Sequence, residues 1–269
     1  MPRIITAALA GLLATVFSAS ALDFNSEAPG SLASSVTEPA TVTDLRISGP
    51  VDASDLCFIG RTMTALTRLD LSAASIASYS GEAINGLGNY DANTIPTGAF
   101  AGTAISEITL PATPGLRIGD AAFAGSAIKE LNIPPTVAFI GQGAFSGCKT
   151  LAKLTLCGSH TSSGYAFSQC SSLNSIDIKA PAAIAGADFS GCGLLGKISG
   201  FEMVTAIGAD AFAGCKALES VTWGKELTTI GDRAFFGSGI KSVEATKSDK
   251  LTELGEWAFS GCGNLLRVE

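Results

Sequence analysis

The repeat that decides the fold is clearest in residues 140–156, which read IGQGAFSGCKTLAKLTL. Its Phe recurs along the chain, nearly always after Ala, at spacings of 23, 22, 22, 22, 23, 23 and 24 residues. Five positions earlier most copies carry an apolar residue followed by Gly, and two positions later nearly all carry Gly. A period this regular indicates stacked structural repeats. The repeated residues are Phe100, Phe123, Phe145, Phe167, Phe189, Phe212, Phe235 and Phe259.

Each copy continues with an apolar triplet of the form Φ-x-x-Φ-x-Φ, such as Leu151, Leu154 and Leu156. The alternation at its end predicts a short strand, and the A-F-x-G segment fits a single turn closed by Gly. One unit alone buries little, whereas stacked units share a continuous core in which the Phe residues form one column. We therefore predict a right-handed solenoid of short parallel strands, joined by turns or single-turn helices, with about eight Phe-containing repeats of 22–24 residues.

The chain divides into four predicted segments. Residues 1–21 are a signal peptide, residues 22–40 a flexible mature terminus or an entry cap, residues 41–94 divergent repeats with an insertion, and residues 95–269 the regular repeats. The insertion is placed near Tyr79 to Asn93 because the repeat spacing stretches there. The last residues fall in the middle of a predicted strand without a polar cap, so we expect that the chain is truncated at its C-terminus.

The signal peptide is predicted from Arg3, the apolar run from Ile4 to Phe17, and the small residues Ala19-Ser20-Ala21. This run is too short for a membrane-spanning helix, and no later stretch is apolar enough to span a bilayer. We therefore expect export to the cell surface or the extracellular space, with the periplasm as an alternative.

Composition and charge limit the classes of partner that the chain is expected to bind. The chain carries a net charge of −7 and only 15 % charged residues, without a basic stripe. Nucleic acid is therefore not an expected partner, because binding to phosphate backbones depends on clustered Lys and Arg. The expected partner is a protein or another cell-surface ligand, with weak self-association as a further alternative.

Five of the seven cysteines occupy one repeat position, immediately after the Gly of the turn. We predict a ladder of buried free thiols there, since thiols in register point the same way and do not form the tetrahedron that zinc requires. Cys57 and Cys157 lie off this ladder, and the sequence leaves their pairing open. The ladder residues are Cys148, Cys170, Cys192, Cys215 and Cys262.

No motif for catalysis is found in the sequence. His160 is the single histidine, and it lies in a Ser/Thr-rich turn without a flanking motif. Asp120, Asp232 and Glu256 precede the repeat Phe, and we interpret them as acids that accept hydrogen bonds from exposed turn N–H groups rather than as an acid/base pair. We expect no catalytic, cofactor or metal site, and no enzyme activity.

The middle residue of each strand should face outward and form a candidate binding row that is small and polar. The row lacks aromatic side chains, so stacking on sugar rings is not favoured there. The alternative is a merely solvated face. Trp223 occupies a core-type position, whereas Trp257 and Phe236 flank the core Phe and are expected to be partly exposed. The row comprises Thr109, Asn132, Thr155, Asp177, Ser199, Thr222 and Glu244.

The pattern I-G-x-x-A-F-x-G-C-x-x-L-x-x-Φ-x-Φ-P resembles the BspA-like class of leucine-rich repeats, found on surface proteins of Bacteroidetes and some mucosal parasites. The segments Val42 to Gly49 and Leu69 to Ser72 resemble the amino-terminal region of Bacteroidetes members, while Gln169 and Ser163-Gly164 depart from the repeat pattern. This resemblance implies adhesion to host matrix proteins, other cells or receptors. The alternatives are a non-catalytic scaffold domain of a larger exported enzyme and a self-associating surface-layer component.

Overall fold

The computed structural model describes residues 3–6, 21–245 and 250–268 of the chain. Most of the predicted signal peptide, residues 1–2 and 7–20, lies outside these described residues. The described chain winds into a solenoid of short parallel strands with little helix, which confirms the predicted fold class.

The structure contains twenty-two strands, two α-helices and two 3-10 helices within the described residues. In chain order these are β1 (Arg3–Thr6), β2 (Ala21–Asn25), α1 (Leu32–Ser35), a 3-10 helix (Pro39–Thr41), β3 (Asp44–Val51), α2 (Ala53–Thr62), β4 (Arg68–Ile76), β5 (Tyr79–Ile84), β6 (Leu87–Tyr90), β7 (Thr94–Ile95), β8 (Glu107–Thr109), β9 (Leu116–Ile118), β10 (Glu130–Ile133), β11 (Val137–Ile140), β12 (Lys153–Leu156), β13 (Thr161–Ser162), β14 (Ser175–Ile178), β15 (Ala182–Ile184), β16 (Lys197–Ser199), a second 3-10 helix (Phe201–Met203), β17 (Val204–Ile207), β18 (Ser220–Trp223), β19 (Thr229–Ile230), β20 (Ser242–Ala245), β21 (Glu253–Leu254) and β22 (Arg267–Val268).

The strands predicted from the apolar triplets lie in the first wall of the solenoid, together with β1 and β2, which were not predicted. This wall consists of three parallel sheets in the orders β1-β2-β3-β4-β8, β10-β12-β14-β16 and β18-β20-β22. The register is that of equivalent repeat positions, so that Leu131 pairs with Leu154 and Leu154 with Ile176. Apolar side chains therefore line up inward and the residues between them point outward.

A second wall was not predicted. The residues that lead into the Ile-Gly step also form parallel strands, in the orders β7-β9-β11-β13 and β15-β17-β19-β21. These strands are two to four residues long, which is too short for an apolar alternation to stand out in the sequence. Their Ile-Gly residues, such as Ile118 and Ile140, are fully buried and add a second inward-facing column.

The A-F-x-G segments make the third side of each coil, called the turn wall here. Its coils are joined by backbone hydrogen bonds, because the Phe123 amide donates to the Ala144 carbonyl (2.7 Å) and the Gly125 amide to the Ser146 carbonyl (2.8 Å). The Gly of each turn has positive φ, as at Gly147 (φ 68°), which is the conformation expected of it. A second residue, two before the Phe, also has positive φ in every Phe-containing coil, which the repeat pattern does not predict.

The repeat Phe rings form one continuous stack inside the solenoid. Neighbouring ring centroids from Phe100 to Phe259 lie 5.1–5.5 Å apart, with interplanar angles of 21° or less. Seven of the eight rings are at most 1 % exposed, while Phe259 is half-buried. The stack runs through most of the solenoid, so the coils share one core.

The N-terminal coils are built differently. In place of an A-F-x-G turn they contain helix α2, which begins with a reciprocal capping box between Asp52 and Asp55. Asp55 is 1 % exposed, and its carboxylate accepts hydrogen bonds from the amides of Gly30 (2.7 Å) and Leu32 (2.9 Å). Burial raises the pKa of Asp55, although these bonds oppose the shift. The Asp55 carboxylate thus holds the segment around Leu32 against helix α2.

The predicted insertion contains an antiparallel hairpin formed by β5 and β6. Its two-residue turn is Asn85-Gly86, in which both residues have positive φ (51° and 87°), as a type I′ turn requires. Asn85 also anchors the hairpin, because its side chain accepts a hydrogen bond from Arg61 (2.7 Å) and donates one to the Thr97 carbonyl (2.6 Å).

Truncating a ring of the stack should be far more costly than truncating an exposed ring. We expect Phe145→Ala to lower the free energy of unfolding by about 3–5 kcal/mol, because it leaves a cavity between two stacked neighbours. Phe236→Ala, at a side chain 37 % exposed, should cost less than about 1 kcal/mol. Denaturant unfolding followed by circular dichroism measures both, and equal losses would contradict a shared core.

Restoring the consensus Gly at position 169 should stabilise the protein. Gln169 is exposed and holds a φ of 58°, a conformation that costs a non-glycine residue energy. We expect Gln169→Gly to raise the free energy of unfolding by about 0.5–1 kcal/mol. The matched control is Gly147→Gln, which should lower it by a similar amount, because an added Cβ there meets nothing within 4 Å and only the backbone is strained.

Candidate binding surface

The candidate binding row lies on the outward side of the first wall. Asn132, Thr155, Asp177 and Ser199 are paired in register on β10, β12, β14 and β16, and Thr222 pairs with Glu244 on β18 and β20. The side chains from 109 to 222 in this row are exposed or half-buried. The structure therefore brings these sequence-predicted residues together as one line across the coils.

A second outward column runs beside the row, two residues earlier on each strand. Its central members are Glu130, Lys153, Ser175 and Lys197, which are paired in the same register. Lys153 forms an ion pair with Glu130 in the neighbouring coil (2.8 Å). The outward side of the first wall is therefore two side chains wide, and it carries charge as well as hydroxyl groups.

The row also extends into the N-terminal coils, beyond the residues predicted for it. Thr109 pairs with Asp70 and Asp70 with Arg46, while Arg46 and Asp70 form an ion pair (3.1 Å). Arg68 of the neighbouring column contacts Asp44 (3.2 Å) and Glu107 (3.3 Å). The sequence did contain a signal, since residues 42–47 and 66–71 also fit the Φ-x-x-Φ-x-Φ pattern, and Arg46 and Asp70 lie between its last two apolar positions.

Two shallow grooves lie on this same side of the molecule. The first, of about 330 Å³, is lined by residues of β2, β3, β4 and β8, including the ion-paired Arg46 and Asp70. The second, of about 440 Å³, is lined by Thr155, Asp177 and Ser199 of the row together with Lys153 and Lys197. Both grooves therefore fall on the face that carries the candidate row.

The ladder thiols point inward at the edge of the core. Each donates a hydrogen bond to the carbonyl of the repeat Phe in the preceding coil, as Cys148 does to Phe123 at 3.2 Å. In a coil that contains a ladder Cys, the carbonyl of the repeat Phe also accepts a hydrogen bond from the amide of that Cys. The Phe145 carbonyl, for example, accepts one from the Cys148 amide (3.3 Å). The other four thiol bonds, of 3.2–3.3 Å, run from Cys170 to Phe145, Cys192 to Phe167, Cys215 to Phe189 and Cys262 to Phe235.

All seven cysteines lie within the described residues and are free thiols. Burial raises the pKa of Cys192 to about 12, raises that of Cys215 further, and raises that of Cys57 to about 11. Cys157, which the sequence could not pair, is half-buried and donates to Asn132 (3.1 Å) beside the candidate row. Across residues 21–245 and 250–268, no three His, Cys, Asp or Glu side chains converge as a metal site would need.

His160 lies next to a buried carboxylate with a structural role. Asp188 is 5 % exposed and accepts hydrogen bonds from the Ser162 hydroxyl (2.9 Å) and from the amides of Ala166 (3.1 Å) and Ala185 (3.0 Å). It bridges the place where β13 and β15 do not pair. Burial raises the pKa of Asp188 and lowers that of His160. Because Ser162 donates to Asp188, these side chains are not arranged as a nucleophile with its base.

The acids ahead of the repeat Phe bind the next coil. Asp120 accepts a hydrogen bond from the Gln142 amide (2.7 Å), and Asp232 accepts one from the Glu256 amide (2.7 Å). These amides are exposed N–H groups of turns, as predicted, but they belong to the turn of the following coil and not to the acid's own turn. These carboxylates therefore strengthen the stacking of the turn wall.

The burial of the ladder predicts a large contrast in thiol reactivity. Because the thiolate is the reactive form, Cys192 and Cys215 should alkylate with iodoacetamide at pH 8 at least about 100-fold more slowly than Cys157 in the native protein. Mass spectrometry of timed samples measures the rates, with urea-unfolded protein as the control in which all rates converge. Equal native rates would show that the ladder is open to solvent.

None of the described helices has the length and apolar character that a bilayer-spanning segment requires. No curated protein sequence matches the chain significantly.

The chain is similar to several solved structures of leucine-rich repeat proteins. A leucine-rich repeat protein from Bacteroides ovatus is 20 % identical, with a TM-score of 0.53 over 87 % of this chain and 80 % of that one. A leucine-rich cell surface protein from Faecalibacterium prausnitzii is 19 % identical, with a TM-score of 0.43 over 93 % and 79 % of the two chains. A leucine-rich repeat protein from Eubacterium ventriosum is 15 % identical, with a TM-score of 0.45 over 83 % and 84 %. At these identities the likeness concerns the fold alone.

The family is shown by the sequence itself. The family model described as a BspA type leucine rich repeat region matches residues 93–199 and 182–269, in six copies, and these ranges together make up more than half of the chain. The matched ranges contain all eight stacked rings and all five ladder thiols, on a solenoid whose walls repeat with the same period. The chain therefore belongs to the family of BspA-type leucine-rich repeat proteins.

Proposed function

We propose that this protein is an exported, non-catalytic binding protein that attaches to a protein or another cell-surface ligand through the outward side of its first wall. The observation that carries the proposal is the unbroken register of the row, in which Asn132, Thr155, Asp177 and Ser199 present one polar side chain per coil. An extended surface of this kind binds by adding modest contacts over many repeats.

The rigidity of the wall supports this role. The inward side chains of its strands, such as Leu154 and Ile176, are at most 2 % exposed and pack in the same core as the stacked rings. A surface held in this way loses little conformational entropy when a ligand binds. The two grooves give the ligand places to insert side chains, and small residues such as Ser175 and Ser199 leave room for it.

The absence of a catalytic role is part of the proposal. The His160 ring is hydrogen-bonded to the Gly158 carbonyl, and Asp188 accepts a hydrogen bond from Ser162 in the preceding coil. Asp120 and Asp232 accept hydrogen bonds from amides of the following coils. The acids and the histidine that could serve as bases are therefore engaged in stabilising the solenoid. Export is supported by the leader-like pattern of residues 1–21, with Arg3 ahead of an apolar run.

A pair of arginine substitutions in one coil tests the surface. The purified chain is first screened against immobilised matrix proteins and a glycan array, and we expect at least one ligand to bind. Thr155→Arg, in the row on β12, should weaken that binding at least about tenfold because the long side chain fills the second groove. Thr161→Arg, on β13 in the second wall, is the matched control and should leave binding unchanged.

Both variants should keep the wild-type melting temperature, since both positions face outward. A screen without any ligand would contradict the proposed adhesion. Equal effects of the two substitutions would place binding elsewhere on the molecule.

A further inference from the structure

The turn wall carries an exposed aromatic patch in its last two described coils. Trp257 is 66 % exposed and Phe236 is 37 % exposed, while the guanidinium carbon of Arg233 lies 4.5 Å from the centroid of the Phe236 ring. These three side chains belong to two neighbouring coils, whose turns are joined by the hydrogen bond from the Arg233 amide to the Glu256 carbonyl (2.9 Å).

The residues of the patch differ from those at the equivalent positions of the other coils. The position directly after the repeat Phe is Ala or Ser in seven coils and Phe only at Phe236. The position two before the repeat Phe is the one with positive φ, where small residues are favoured, yet it holds Arg233 and Trp257. In coil order the first set is Ala101, Ala124, Ser146, Ser168, Ser190, Ala213, Phe236 and Ser260, and the second is Gly98, Ala121, Gly143, Tyr165, Ala187, Asp210, Arg233 and Trp257.

Core packing does not explain these exceptions. The position with positive φ points outward wherever it bears a large side chain, since Tyr165, with coils on both sides, is 52 % exposed. The exposure of Trp257 is thus a property of its place in the turn. Bulky residues kept in a strained and solvent-facing conformation are a sign of function rather than of stability.

The patch is also preorganised. The Arg233 Nε donates to Asp210 Oδ1 in the preceding coil (3.0 Å), and its guanidinium stacks over Phe236. Asp210 thereby neutralises the positive charge within the patch and fixes the ring beneath it. A ligand that covers this surface meets side chains that are already held in place, which lowers the entropic cost of binding.

Charge decides which ligand fits. Within the turn segments 208–214, 231–237 and 255–261, Asp210, Asp232 and Glu256 supply three carboxylates against the one guanidinium of Arg233. The turn wall around the patch is therefore negative by about two charges, in a chain whose net charge is −7. Indole is the side-chain ring that attracts cations most strongly, and the carboxylates around it add to that attraction.

We propose that Trp257, Phe236 and Arg233 form a second binding surface, on the turn wall, that takes a lysine- or arginine-rich protein segment. A partner ammonium or guanidinium group packs on the Trp257 ring, its alkyl stem covers Phe236, and the neighbouring carboxylate of Glu256 balances its charge. This surface is separate from the row on the first wall, so the two can be tested independently.

The full chain itself provides the reporter for the test. Trp223 is 3 % exposed and Trp257 is 66 % exposed, so a ligand on the patch changes the red-shifted part of the tryptophan emission. The probe is a hexalysine peptide blocked at both ends, with a rhodamine-labelled copy for anisotropy measurements on variants. We expect saturable binding at about 20 mM salt that is largely lost at about 0.5 M salt, and no binding of hexaglutamate.

Variants locate the site. Trp257→Ala should weaken hexalysine binding about two- to fivefold, the range expected for one exposed cation–π contact, and Phe236→Ser should weaken it in the same direction. Tyr165→Ala, on the same wall but in a distant coil, is the matched control and should have no effect. Thr155→Arg should also leave hexalysine binding unchanged, which keeps a failure here distinct from a failure of the first-wall proposal.

Three results would overturn the inference: no saturable change with hexalysine at low salt, equal affinity of wild type and Trp257→Ala, or an emission change with a neutral glucose hexasaccharide instead of hexalysine. The last result would assign the aromatic patch to carbohydrate binding.

Discussion

The stacking of one coil on the next is the constraint on which the whole molecule depends. Rings 5.1–5.5 Å apart can form a continuous column only if every coil returns the chain to the same place, so the repeat length varies by at most two residues between neighbouring Phe residues. The backbone ladder of the turn wall enforces this, since the Phe123 amide finds its acceptor in the next coil and not in its own. The ladder thiols also join neighbouring coils at the edge of the core, where the Cys148 thiol donates a hydrogen bond to the carbonyl of Phe123. Inward positions are therefore fixed by their neighbours above and below.

This constraint explains which parts of the fold the sequence predicted. The first wall and the Phe stack were predictable because each relies on residues that repeat at a fixed spacing. The second wall was missed because strands such as β13 and β19, of two residues each, leave no alternation to detect. Helix α2 and the hairpin have local signals, a capping box at Asp52 and Asp55 and an Asn85-Gly86 turn, which a search restricted to the repeat overlooks.

The candidate surface was predictable to a similar extent and for the same reason. Register places Thr155 beside Asp177, and register follows from the repeat. The ion pairs of the first groove are different, because Arg46 and Asp70 lie 24 residues apart in coils that lack the repeat Phe, and only the fold shows that they touch. The partial exposure of Trp257 was expected from its place beside the core Phe and is observed, whereas the positive φ at Tyr165 or Trp257 leaves no mark in the composition of the turn.

A repeat protein offers its own internal comparison, and exceptions within a column carry more information than the consensus. Asp188 replaces the Ala that precedes the other repeat Phe residues, and its hydrogen bonds account for it: two cross the unpaired seam, from Ser162 and Ala166, and one comes from Ala185 in its own coil. Ser126 takes the ladder position in a shorter coil, where its hydroxyl lies 3.4 Å from the Cys148 sulfur. Trp257 is an exception of another kind, because it is held at positive φ and gains no burial in the described coils in return. Since stacking has no use for such a residue, its reason must be sought outside the solenoid, in what binds to it.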